Sequence, residues 1–254
     1  MSEIVFAQPR HVYESYADLR QLIALSDFPL VYYDEIDPDS DNTYILIIRN
    51  GECEAGWRDS RARIVLWDME WRREPQPLIP GVRDHWHLDK WQAEMLGYKY
   101  VAVGGHAGLR ETETANSKQL DVAYYGYMIP RRQRIQTELR ERGVTISPQA
   151  AWGAERDRLL NDSRVYLHVH QHEDIPAVPG LRMVVAAAYK LPVISERIAD
   201  VGVFQGLITR ESYGYLAEAL QRLFYHPNSP LYRSLIENGE RLHHSLFVDY
   251  TFRK

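Results

Sequence analysis

The sequence predicts an α/β fold in which each of two halves is built on a parallel sheet, with a helix at the C-terminal end. Two observations support this prediction. Between residues 121 and 225, short apolar runs typical of buried strands alternate with segments of helical periodicity, which is the pattern of a parallel sheet covered by helices. The first hundred residues show the same alternation less clearly. A polar segment without apolar periodicity, residues 108–119, separates the halves and suits a linker or an exposed crossing.

The elements follow in chain order. In the first half, the predicted strands span residues 30–33, 44–48, 64–67 and 100–103, and the predicted helices span 13–25 and 89–96. In the second half, the predicted strands span 121–125, 144–146, 165–169 and 192–195, and the predicted helices span 130–142, 152–162, 181–189 and 213–225. A last helical pattern begins at Ser229, so the predicted units are 1–117, 118–228 and 229–254.

Composition limits the class of protein. With 254 residues, 45% of them hydrophobic, the chain is long enough to fold around one large core or two smaller ones. It contains no apolar run near the roughly 20 residues that span a bilayer, so we expect a soluble, cytoplasmic protein with no membrane partner. Cys53 is the sole cysteine, which excludes an intramolecular disulfide and a cysteine-cluster metal site. The net charge of −5 gives no overall attraction to nucleic acid, although a local basic patch could supply one.

A basic helix follows the first strand of the second half, in DVAYYGYMIPRRQRIQTELRERG (residues 121–143). The strand turns at Gly126, and Arg131, Arg132 and Arg134 lie at the start of the helix. Backbone N–H groups at a helix N-terminus, together with guanidinium forks, form a site for phosphate. Cations at this end oppose the helix dipole, so we favour phosphate binding over a merely solvated helix face.

A second group of polar residues lies in residues 165–196, where a buried strand leads through a polar loop to an apolar helix and another strand. His170, Gln171 and Glu196 follow the carboxyl ends of predicted strands, where open α/β sheets bind ligands. Arg182 lies in the first turn of the helix that Pro179 and Gly180 open, where it would face an anion.

Three histidines alternate along the same segment and would share one face of the strand: His168, His170 and His172. They could ligate a metal, but no cysteine or second carboxylate cluster supports that interpretation. We therefore expect His168 to be a core histidine with its hydrogen bonds satisfied, and no metal site.

The candidate general bases lie in the first half. In RIVLWDMEW (residues 63–71), Asp68 and Glu70 end an apolar strand on one face, where they could deprotonate a hydroxyl or simply cap a helix. His106 follows the predicted strand 100–103 in a Gly-Gly turn that lets the backbone approach a ligand. The acidic segment 34–41 is most simply a surface loop.

Residues 120–226 resemble the donor-binding domain of glycosyltransferases of the GT-B architecture, in particular the spore-maturation-type (CgeB-like) branch. The resemblance rests on YYGYMIPRRQRI, GAERDRLLNDSRVYLHVHQ and PGLRMVVAAAYKLPVISE. The first half is similar only in outline, through IVLWDMEW and DKWQAEMLGYKYVAVGGH. The resemblance implies two Rossmann-like domains that face each other across a cleft, and a C-terminal helix that crosses back to the first.

The resemblance also implies a site for a nucleotide-sugar donor in the second half. The residues that it and the sequence pattern assign to donor binding are Gly126, Tyr127, Arg131, Arg132, His170, Gln171, Gly180, Leu181, Arg182 and Glu196. Many retaining members carry two glutamates eight positions apart, but these positions hold Ala177 and Val185 here. We expect Glu196 to bind ribose or sugar hydroxyls in place of these glutamates. Whether the enzyme retains or inverts the configuration of the sugar stays open.

The resemblance thus implies a glycosyltransferase that moves a hexose from UDP-glucose or a similar donor to an acceptor hydroxyl, without a cofactor. Asp68, Glu70 and His106 are the candidate catalytic residues. Phage enzymes of about this size glycosylate hydroxymethylated pyrimidines in DNA, and residues 49–63 and 72–73 could form a basic rim for such an acceptor. Polysaccharide, protein and small-molecule acceptors stay open. The alternative is a GT-B relic that binds a nucleotide or nucleotide-sugar without catalysis.

Overall fold

The structure is a computed structural model that describes residues 2–10, 17–48, 57, 59–71, 74, 80–109, 118–147, 153–174, 176–199 and 202–249. Within these residues the strands form two sheets, one in each half of the chain, and every pairing is parallel. α-Helices lie between several consecutive strands, as is usual for the crossovers of parallel sheets. The predicted α/β class is therefore confirmed.

The first sheet has the strand order β2-β1-β3-β4-β5-β6. Its strands are β1 (Ile4–Gln8), β2 (Leu30–Tyr32), β3 (Thr43–Ile48), β4 (Arg63–Asp68), β5 (Val82–His87) and β6 (Lys99–Tyr100). Its helices are α1 (Ala17–Leu25) and α2 (Lys90–Leu96). Helix α2 has a clear start and end, because the Asp89 carboxylate accepts the Gln92 N–H and Gly97 closes the helix at φ +69°.

The second sheet has the order β10-β9-β8-β7. Its strands are β7 (Leu120–Ala123), β8 (Ser163–His168), β9 (Val193–Glu196) and β10 (Thr209–Glu211). The helices of this half are α3 (Pro130–Glu141), α4 (Gly153–Asp162), α5 (Gly180–Ala188), α6 (Leu216–Tyr225) and α7 (Pro230–His244). Helices α3 and α7 both begin with proline at the first helical position, where the missing N–H costs nothing.

The sequence analysis did not predict three of the strands: β1, β5 and β10. Strand β5 reads VRDHWH and is only partly buried, so it has no apolar run. Conversely, the predicted strand 144–146 is reduced to one bridge between Val122 and Ile146. The predicted strand 100–103 pairs only at Lys99–Tyr100. The start of the predicted helix 13–25, Trp152 and most of the linker lie outside the described residues.

The C-terminal helix α7 packs mainly on the second half. Gly239 lies so close to the backbone of Lys190 and Pro192 that an added Cβ would be 2.7 Å from the Lys190 carbonyl oxygen. After α7, a single π-helical turn (Ser245–Asp249) reaches the first half, where the Gly105 N–H donates to the Leu246 carbonyl at 2.8 Å. The chain therefore covers the second sheet with α7 before it contacts the first half.

Candidate functional site

A cavity of about 490 Å³ lies where the carboxyl ends of strands from both sheets meet. The first half contributes Met69, Glu70 and Trp71 after β4, and His87, Leu88 and Asp89 at the end of β5. The second half contributes residues that follow β7 and β8 and the residues that open α5. This size is within the 300–1,000 Å³ range of small-molecule sites, and the place is the one where α/β sheets bind ligands.

Arg182 projects from the first turn of α5 into this cavity. Its guanidinium packs against Gly126, where an added Cβ would be 2.9 Å from Nη1 and 3.1 Å from Cζ. The Tyr125 hydroxyl donates to the Arg182 carbonyl at 3.2 Å, which fixes the start of the helix against the loop after β7. No carboxylate forms an ion pair with Arg182 within the described residues. Arg182 therefore offers a positive charge to a ligand, beside the N–H groups of a helix start.

Arg132 also lines the cavity, but backbone carbonyls hold much of its guanidinium. Its Nε donates to the Val169 carbonyl at 3.0 Å and its Nη1 donates to the Tyr127 carbonyl at 2.8 Å. The side chain is 3% exposed. Arg132 therefore joins the end of β8 to the loop after β7, and its charge lies near the cavity wall.

Arg131 and Glu196 pair with each other. The sequence analysis had assigned each of them its own contact to the nucleotide-sugar. The two guanidinium nitrogens of Arg131 bind the two carboxylate oxygens of Glu196. Glu196 also accepts the His170 N–H at 3.1 Å, and the Arg131 guanidinium stacks on the Tyr213 ring at 3.8 Å. Neither Arg131 nor Glu196 lines the cavity. A ribose or diphosphate contact by either residue would compete with this pair, and their donor-binding roles stay predictions.

Two buried histidines form the wall at the end of β8. Burial lowers the pKa of His168 well below its ordinary value, and His170 and the nearby Arg182 and Arg132 lower it further. Burial also lowers the pKa of His170, whose Nε2 donates to the Arg197 carbonyl at 2.8 Å. Both imidazoles are therefore neutral at neutral pH. The expectation that His168 is satisfied in the core is wrong, because its Nε2 is buried without a hydrogen-bond partner among the described residues.

On the first-half side, His87 ties the ends of β4 and β5 together. The Asp89 N–H donates to His87 Nδ1 at 2.9 Å, so Nε2 carries the proton and donates to the Glu70 carbonyl at 3.1 Å. Asp89 in turn links the halves, because its carboxylate caps α2 and accepts the Val178 N–H at 2.6 Å, just before α5. The alternation of polar residues along β5 could have indicated both residues, but the sequence analysis gave them no role.

The three candidate bases occupy different places. Glu70 lines the cavity. Asp68 is buried and its carboxylate accepts the Glu70 N–H at 3.1 Å, behind the cavity wall. His106 is not part of the lining, and its Nδ1 accepts the Gly108 N–H at 3.1 Å. The structure therefore brings only Glu70 to the cavity, and the catalytic role of each residue stays a prediction.

Of the other residues predicted to bind the donor, most line the cavity and one does not. The cavity lining includes Tyr127, His170, Gln171, Gly180 and Leu181. Gly126 lies behind Arg182 rather than in the lining. Asp18 of α1 is in the lining although the sequence analysis did not single it out. Its carboxylate pairs with Arg156 of α4, a further contact between the halves.

Within the described ranges, no three His, Cys, Asp or Glu side chains are grouped so that they could hold a metal ion. His168, His170 and His172 thus do not form such a group. None of the described helices is long and apolar enough to span a membrane.

Solved structures of glycosyltransferases share this fold. A glycosyltransferase from Rickettsia africae ESF-5 aligns with a TM-score of 0.66 and 9% identity, over 99% of this chain and 96% of its own. AviGT4, a glycosyltransferase involved in avilamycin A biosynthesis, aligns with a TM-score of 0.59 and 11% identity, over 98% and 96% of the chains. TarM aligns with a TM-score of 0.51 over 87% of this chain and 54% of its own, at 11% identity. The chain therefore has the α/β fold of GT-B glycosyltransferases.

Sequence relatives are known from a giant virus. Uncharacterized protein L140 of Acanthamoeba polyphaga mimivirus is 36% identical over 81 residues, which is 31% of this chain and 27% of that protein. Uncharacterized protein L138 of the same virus is 27% identical over 108 residues, which is 42% of this chain and 12% of that protein. The chain thus matches less than a third of either relative's length. No family model matches the chain.

Proposed function

We propose that the protein is a glycosyltransferase that takes a sugar from a nucleotide-sugar donor. The observation that carries this proposal is the position of Arg182: it projects into the cavity beside a helix N-terminus, with no ion-pair partner among the described residues. A diphosphate in the cavity would neutralise this charge. Negative charge grows on the leaving nucleoside diphosphate during transfer, so Arg182 would bind the transition state more strongly than the ground state.

The other cationic residue in the lining supports the same assignment in a different way. Arg132 adds positive potential, but its bonds to two backbone carbonyls also make it part of the framework. We therefore expect Arg132→Ala to lower both the stability and the donor affinity. Arg182→Ala should lower the affinity by about 1.5 to 3 kcal/mol, the range for hydrogen bonds to charged groups, with little effect on folding.

The acceptor side of the proposal rests on Glu70, the candidate base that lines the cavity. If the enzyme inverts, Glu70 would take the proton of the acceptor hydroxyl. The proposal does not specify the acceptor. A hydroxymethylated pyrimidine in DNA is one acceptor to test. The predicted basic rim lies largely outside the described residues, and within them Arg61 and Arg63 pair with Asp41 and Asp84. These pairs reduce the positive charge available for phosphate contacts.

A thermal-shift screen tests the donor assignment. The protein is heated with UDP, GDP, ADP, TDP and their glucose conjugates, since a ligand at 100 times its dissociation constant adds about 2.7 kcal/mol of stability. We expect a shift with one nucleotide, with UDP-glucose as the first donor to try. Arg182→Ala should lose that shift, whereas Arg233→Ala, at an exposed arginine on α7 outside the cavity lining, should keep it. Equal shifts in the two variants would remove the diphosphate assignment.

A non-catalytic nucleotide-sugar binder is the alternative. The observation that favours it is Ala177 in the cavity lining and Val185 in the core, where many retaining enzymes have glutamates. Slow hydrolysis of the bound donor without acceptor separates the two, because an enzyme releases free sugar and a binder protects the donor. Glu70→Gln should lower turnover about a hundredfold if Glu70 is the base, while donor binding persists.

A further inference from the structure

His168 has an unsatisfied hydrogen-bonding atom in the wall of the cavity. Its ring lines the cavity, the residue is 4% exposed, and Nε2 has no hydrogen-bond partner among the described residues. Burying a polar atom without a partner destabilises the folded state, so such atoms call for an explanation. Because the His168 ring lines the cavity, a ligand bound there could supply the missing partner.

The surroundings of His168 decide which kind of partner fits. His170 of the same segment lies against it in an edge-to-face contact at 5.1 Å between ring centroids, and Arg132 of α3 and Arg182 of α5 are the charged groups that act on it. Two guanidinium groups and burial keep the imidazole neutral, so it has one N–H to donate. The positive potential of the arginines attracts an anionic oxygen, which can accept that N–H.

We propose that His168 is a ligand-binding residue, whose Nε2–H donates to an anionic oxygen of a phosphate-containing ligand that Arg182 holds in the cavity. Because Nε2 is buried, this contact requires the ring to turn about its Cβ–Cγ bond when the ligand binds. This inference rests on the proposed function, since it takes the diphosphate of a nucleotide-sugar as the ligand. The neutral imidazole would add a hydrogen-bond donor to a site in which the arginines bind the phosphate through their charge.

The test observes the imidazole directly. The whole protein is labelled with ¹⁵N-histidine, and its imidazole resonances, assigned with His168→Phe, are followed during titration with inorganic pyrophosphate and then with the nucleotide selected by the thermal screen. We expect the His168 Nε2 resonance to move toward the position of a hydrogen-bonded N–H, with saturation at the ligand's dissociation constant. The resonance of His226, exposed just after α6, should not move.

A variant gives the second reading. His168→Phe keeps an aromatic ring at this position but removes both nitrogens. Nucleotide affinity should therefore fall about tenfold or more, as for a lost hydrogen bond to a charged group. If the nucleotide binds but the His168 resonance stays fixed and the variant binds equally well, this inference is wrong and the proposed function stands. If neither pyrophosphate nor any nucleotide binds, both fall. The measurement on the unmodified protein remains decisive even if His168→Phe does not fold.

Discussion

Gly126→Ala is expected to reduce nucleotide binding through Arg182 rather than through the fold. The added Cβ would be 2.9 Å from Nη1 of Arg182, closer than real Cβ contacts, and a tight 3.1 Å from Cζ and 3.2 Å from Nη2. The guanidinium is the end of a flexible side chain, so it can move aside at small cost in folding free energy. It would then leave its position in the cavity. Loss of its contacts to a diphosphate is worth about 1.5 to 3 kcal/mol, or roughly 10- to 150-fold in dissociation constant.

The same substitution also strains the backbone, and a control is needed to separate the two effects. Gly126 has φ +125°, which costs a residue with a side chain about 1 to 3 kcal/mol. Gly97→Ala is the matched control, because Gly97 has φ +69° and an added Cβ would meet nothing within 4 Å. Urea unfolding should show a loss of stability in both variants, and calorimetric titration should show weaker nucleotide binding only in Gly126→Ala. A folded Gly126→Ala protein with unchanged affinity would refute the contact between Arg182 and the ligand.

Two further predictions concern stability. Glu196→Gln breaks the largely buried pair with Arg131, whose side chains are 9% and 17% exposed, and should lower the free energy of unfolding by about 3 kcal/mol in urea. Glu218→Gln, in an exposed i,i+4 pair, is the control and should change it by less than about 1 kcal/mol. The second prediction follows from burial, which lowers the pKa of His168 and His170. As the pH falls below about 6.5, these histidines take up protons in the unfolded chain but not in the native protein. The free energy of unfolding is therefore unaffected by them above that pH and decreases toward pH 5.5. The loss is at most about 1.4 kcal/mol per pH unit for each histidine, and an unchanged unfolding free energy between pH 7.5 and 5.5 would contradict it.

The sequence predicted most elements of the second half because its strands are buried on both faces. Strand β8 consists of Ser163–His168, and its predicted span of 165–169 differs by one or two residues at each end. Such strands appear as apolar runs, and the helices between them keep an apolar face. Strand β5 lies near the edge of its sheet beside the two-residue β6, so five of its six residues are at least partly exposed. The adjacent Arg83 and Asp84 interrupt any apolar pattern and hide its strand character.

The sequence predicted several of the residues that line the cavity at the carboxyl ends of strands, but it could not show their contacts. It predicted Arg182 in the first turn of a helix, where the structure has it, from the Pro-Gly pair alone. It could not show that Arg131 is engaged by Glu196, 65 positions away, because ion pairing depends on the distance between β9 and α3. Nor could the alternation of histidines show which one has an unpartnered nitrogen.

The parts of the site that the sequence missed are those that connect the two halves. Asp89 accepts the Val178 N–H from 89 positions away, and the Asp18–Arg156 pair joins residues 138 positions apart. Val178 lies two residues before α5, so a carboxylate of the first half helps to set the direction in which Arg182 leaves the helix. The pattern of either half alone contains no information about this contact. The geometry of the candidate donor site is therefore a property of both halves together, even though Arg132 and Arg182 both lie in the second.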